Sequence, residues 1–125
     1  MKWKAAMKAL SAMMWTLFML ASLSAAIDIS GKWEVEANFD DPNSGGGGFD
    51  CVVKQQAKRL TGTCSDGSAS LDGEIDGQKV TWRVSNSAHP PDMTTFTGTL
   101  NGSGTAIEGR FSIGTKRGSF TAAKI

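Results

Sequence analysis

From Gly31 onward, apolar and polar residues alternate with a period of two, and no stretch carries a helical period long enough for two turns of helix. The first run, Gly31 to Phe39, places Trp33, Val35, Ala37 and Phe39 on one face and Lys32, Glu34 and Glu36 on the other. That predicts a strand with one buried and one wet face. The segment Asp40 to Gly48 ends in four glycines and is expected to be a flexible loop. Phe49 to Cys64 then reads as a hairpin. Pairing Cys51 with Cys64 pairs Val53 with Gly62 and Gln55 with Leu60, leaving Ala57-Lys58 as the turn. The disulfide and the apolar pattern demand the same register.

A further hairpin is expected at Asp76-Gly77, a strong turn dipeptide, with Ile75, Gly73, Leu71 and Ala69 opposite Gln78, Val80, Trp82 and Val84. After a loop over 85–92, Phe96, Gly98 and Leu100 alternate with three threonines, and Asn101 to Gly104 turns the chain. Ile107, Gly109, Phe111 and Ile113 follow, and Gly118, Phe120 and Ala122 point inward on the last strand. Four segments echo one another: Leu60-Thr-Gly-Thr, Leu71-Asp-Gly-Glu, Phe96-Thr-Gly-Thr and Ile107-Glu-Gly-Arg. Each puts a glycine on the inward face, either to admit a bulky side chain from across a narrow lumen or to permit sharp coiling. Eight consecutive strands, each with one apolar face, predict an all-β domain: a single antiparallel up-and-down eight-stranded β-barrel. Closure removes the two open edges of so long a sheet. A two-sheet sandwich is disfavoured because no long crossover connection exists. The expected core is Trp33, Val35, Phe49, Val53, Leu71, Ile75, Trp82, Phe96, Leu100, Ile107, Phe111 and Phe120.

Ahead of this pattern the chain differs in kind. Lys2, Lys4 and Lys8 precede an uncharged stretch from Ala9, and Ser24-Ala25-Ala26 supplies small residues for a signal peptidase. Residues 1–26 are therefore expected to be an N-terminal signal helix and 27–125 the barrel domain. The competing reading is an uncleaved anchor, against which the small-residue site and the missing cationic flank both argue. The expected location is exported, in a bacterial periplasm or outside the cell. Without residues 1–26 the chain keeps all 12 acidic residues but 10 of its 13 basic ones, a net charge of −2. Dispersed, mildly acidic charge gives no footprint for nucleic acid, or for membrane once the signal is removed. Two cysteines in an exported chain imply one disulfide, Cys51–Cys64.

Candidate chemistry is sparse. The longer loops, 40–48 and 85–92 among them, gather at one end of the barrel and form a mouth, where binding function tends to sit. Possible mouth contacts are Phe39, Phe49, Trp82, His89, Asp92 and Arg117. His89 is the only histidine and sits beside Pro90-Pro91, where a solvated side chain is the plain reading. No nucleophile elbow, metal-ligand spacing or inward carboxylate pair is present, so neither a catalytic residue, a metal nor a cofactor is expected and the chain is read as no enzyme.

Gly31-Lys32-Trp33 at the start of such a meander resembles the calycin barrels, the lipocalins and avidins. The resemblance implies a tryptophan plugging the barrel base with a cation from the last strand over it, here Trp33 and Lys124. With no tyrosine in the chain, biotin binding is not implied. In size and plan the chain is also similar to the small periplasmic inhibitors of bacterial metalloproteases, whose free N-terminus enters the protease; the matching segment is Ile27-Asp28-Ile29-Ser30. Three roles follow as expectations: a binding module for a small apolar molecule at the mouth, an interaction or inhibitor module for an extracytoplasmic protein, and a weak His89 enzyme. The expected state is a monomer.

Overall fold

The computed structural model describes residues 27–86 and 93–125; the expected signal segment 1–26 and residues 87–92, His89 and Asp92 included, lie outside the described residues. Eight strands follow one another: β1 Gly31–Phe39, β2 Gly46–Gln56, β3 Arg59–Cys64, β4 Ala69–Asp76, β5 Lys79–Asn86, β6 Met93–Leu100, β7 Ala106–Ile113 and β8 Lys116–Lys124. Each pairs antiparallel with its neighbour, and β8 returns to β1, closing the barrel. There is no helix among the described residues.

Period-two alternation becomes burial directly. In β4 every second residue, Ala69, Leu71, Gly73 and Ile75, is buried and every other one is exposed. The β2–β3 hairpin has the register expected from its cysteines: Cys51 faces Cys64, Val53 faces Gly62 and Gln55 faces Leu60. The disulfide forms there on the buried face. Closing a loop of this length is worth about 3 kcal/mol in the chain-entropy picture.

Two local expectations are corrected. Gly46, Gly47 and Gly48 are not loop; they open β2 and pair with Asn38, Ala37 and Glu36. Backbone hydrogen bonding to β1 orders what glycine's backbone entropy alone would leave loose. The β4–β5 turn lies at Gly77-Gln78, not Asp76-Gly77, so Ile75 pairs with Val80 and Asp76 with Lys79. Gly77, at φ 60°, takes the left-handed first turn position. This register sets two buried apolar residues opposite each other and frees Gln78, whose carbonyl accepts from Leu100 N at 2.7 Å. Because the slip is an even number of residues, every side chain kept its expected face.

The lumen is sealed at one end. Trp33, Leu60, Leu100, Ile107, Val53 and Val80 fill it, and Trp82 meets Trp33 edge to face with ring centroids 5.9 Å apart. Residues 27–30 lie across this base, a feature the alternation does not extend to. Ile29 is fully buried, its carbonyl accepts from Trp33 Nε1 at 2.9 Å, and its N–H donates to Gln55 Oε1 at 2.9 Å. Burying such a side chain contributes about 1.5–3 kcal/mol. Of the expected core, only Phe49 is half-buried rather than buried.

Candidate functional site

At the other end the described residues leave the lumen open. A cavity of about 400 Å³ enters between the mouth ends of the strands, within the size range of small-molecule sites. Its inner surface is aromatic. Phe96 lies 5.6 Å from Phe111, 6.0 Å from Phe49 and 5.1 Å from Phe120, and Phe39 meets Phe111 at 5.2 Å. Ala37, Ala69, Val84 and Ile113 complete the apolar wall, and Ser65, Asn86 and Thr94 supply its polar groups. None of the described lining residues carries a titratable side chain.

The cavity exists because β2 begins in glycine. Gly47 pairs with Ala37, so its missing side chain would point into the lumen, and a Cβ placed there would meet nothing within 4 Å. Most inward glycines behave differently. A Cβ on Gly62 would sit 1.9 Å from Val52 O, one on Gly73 1.9 Å from Thr81 O, and one on Gly109 2.0 Å from Thr97 O. Those glycines coil the barrel by letting a neighbouring strand's backbone approach; Gly47 leaves empty space.

The rim carries the charge. Arg110 grips Asp40 through both guanidinium nitrogens, Nη1 donating to Oδ1 at 3.0 Å and Nη2 to Oδ2. That hydrogen bonding holds the Asp40 carboxyl below the usual aspartate range and raises Arg110 above its own. Asp41 is occupied within its own turn, accepting from Asn43 N and Ser44 Oγ. Lys116, at the β7–β8 turn, sets its ammonium 5.7 Å from the centroid of Phe39. On the outer wall Glu34, Glu36, Asp50 and Asp66 border a polar depression, but no group of three or more His, Cys, Asp or Glu among the described residues could hold a metal ion.

The expected mouth residues are thus divided. Phe39 and Phe49 line the cavity. Trp82 does not; it is 1 % exposed and belongs to the sealed half against Trp33, because its position on β5 is one inward step below Val84. Arg117 is exposed at the start of β8, outside the lining, and its carbonyl accepts from Asp40 N at 2.9 Å. His89 and Asp92 lie outside the described residues. Gly47 is a cavity residue outside the sequence expectation, because a glycine run resembles loop; its signal is the unbroken step of two from Cys51 through Phe49 to Gly47. Lys124 is half-buried and pairs with Trp33 across β1–β8, and its Cε lies 3.0 Å from where a Gly31 Cβ would stand. Of residues 27–30, likened in plan to a protease-inserting terminus, Ile29 and Ser30 are packed on their own barrel, Ser30 Oγ accepting from Gln55 N at 2.9 Å, while Ile27 is exposed.

No protein-family model matches the chain, and no curated protein matches it in sequence. Among solved structures it is similar to a redesigned β-barrel, mFAP1, bound to DFHBI, with a TM-score of 0.57 and 13 % identity over 78 % of this chain and 94 % of that one. At that identity the likeness shows the closed-barrel fold.

Proposed function

We propose that the chain is an exported, non-enzymatic binding module that holds a small apolar molecule in the mouth cavity. The observation that carries this reading is the half-filled lumen. One end is packed solid by Trp33, Trp82 and the strap at Ile29, while the other leaves about 400 Å³ bounded by four phenylalanines. An aromatic wall open to water is costly unless covered, at about 25 cal/mol per Å² of apolar surface. The absence of titratable side chains from the described lining favours holding a molecule over transforming it. The similar barrel mFAP1 was solved with DFHBI bound, which accords with a fold of this size admitting a small ligand. The disulfide suits an oxidising compartment outside the cytoplasm.

Gly47→Leu tests the reading. Its Cβ has free space and its side chain would enter the cavity, so the fold should persist while binding of a neutral aromatic probe such as 2-naphthamide falls at least tenfold. Unchanged affinity in a folded Gly47→Leu protein would mean that the probe sits elsewhere and the cavity is not the site.

A further inference from the structure

We infer that the molecule taken by this cavity is an amphipathic anion, its apolar body against the phenylalanines and its acidic group at the lip on Lys116. This rests on the binding reading above and adds the charge of the ligand and the residue that selects it. The interior offers no described charge of either sign, so an ionic group would have to stay at the rim. Around Phe39 the rim's ions are engaged differently, while Arg117 stands on the outer face of β8 and Asp66 lies at the β3–β4 turn beside Ser65. Asp40 is held by Arg110, and Asp41 is turned into its own loop. Arg110 is in turn occupied by Asp40. Lys116 is in no ion pair among the described residues; its one recorded contact is the face of Phe39, which itself lines the cavity.

The placement also fits the backbone. Lys116 pairs with Ile113 across the β7–β8 turn, and Ile113 is part of the apolar wall. A ring lying against Ile113, Phe39 and Phe111 would bring a substituent at its outer edge to the Lys116 ammonium. An exposed lysine on a four-carbon stem can follow that substituent, keeping its cation–π contact or exchanging it for a carboxylate. A ligand cation at the same place would meet Lys116 unfavourably, and a neutral polar group would gain less.

The test compares two probes of one shape, 2-naphthoic acid, ionised at pH 7, and neutral 2-naphthamide, by isothermal titration on the purified protein at low salt. The acid should bind about fivefold tighter, the scale of one exposed ion pair. In Lys116→Gln the two affinities should become equal, while Lys79→Gln, at the far end of the barrel, should retain the preference. At 1 M salt, where the Debye length is about 3 Å, the wild-type preference should shrink. Equal binding of the two probes to the wild type, or a preference that survives Lys116→Gln, overturns the inference and leaves the cavity standing. Failure of both probes to bind removes the cavity reading itself, and the anion with it.

Discussion

Trp33 and Trp82 stack edge to face in the sealed half of the lumen, yet their indole nitrogens are in opposite situations. Trp33 Nε1 donates to the Ile29 carbonyl, whereas Trp82 Nε1 is buried with no hydrogen-bond partner among the described residues. A buried unpaired N–H costs about 1–3 kcal/mol. Trp82→Phe removes that group and leaves a small void costing about 1 kcal/mol, so its stability by urea denaturation should lie within about 1 kcal/mol of wild type. Trp33→Phe strands the Ile29 carbonyl and loosens the strap, and should cost about 2–4 kcal/mol. Equal losses in the two variants would contradict the assigned hydrogen bond. At the rim, Arg110 depresses the Asp40 carboxyl. A depressed carboxyl adds stability above its unfolded-state value of about 3.9 and surrenders it as pH falls through the lower folded-state value. Carboxyl-carbon NMR should show Asp40 titrating below the usual aspartate range, and Arg110→Ala should move its titration upward.

Among the elements, the echoed glycines settle a choice that spacing left open between cross-lumen room and coiling. At Gly62, Gly73 and Gly109 the obstacle to a Cβ is the adjacent strand's carbonyl, so coiling is their role. At Gly98 both reasons apply, since Glu108 O, Ile107 Cγ2 and Phe120 Cζ all crowd the position. Gly73→Ala should therefore destabilise by about 3 kcal/mol although it adds a single methyl; a loss under 0.5 kcal/mol in thermal unfolding would contradict the close strand approach. Faces, strand order and the cysteine register were legible because period two and a covalent pair constrain them together. The β4–β5 turn was not, since a shift of two residues conserves every face and Asp-Gly suits more than one turn. The Ile27–Ser30 strap was invisible to the pattern because it has no alternation of its own: Ile29 accepts from Trp33 four residues on, and Ile29 and Ser30 both bond to Gln55 on β2.

For the whole molecule, the two ends of one barrel divide the labour. The base concentrates the largest buried side chains, two of the three two-residue hairpin turns and the strap, while the mouth keeps a glycine-opened, phenylalanine-lined space. The location of the mouth was readable from loop lengths. Its interior was only half readable: Phe39 and Phe49 were expected, whereas Trp82 proved to be one step too deep and Gly47 was hidden in a run resembling linker. In the proposed function this open half, and not the outer wall or the base, receives a small molecule. The most direct test of that proposal is amide chemical-shift mapping of the isotope-labelled protein during titration with 2-naphthamide. A ligand in the mouth cavity predicts saturable shifts at Ala37, Gly47, Phe49, Val84, Thr94, Phe111 and Ile113, with Ile29, Leu60 and Ile107 unmoved; this is the proposed site. Shifts confined to the base or to the outer face of β1–β3, or none at saturating probe, would contradict it.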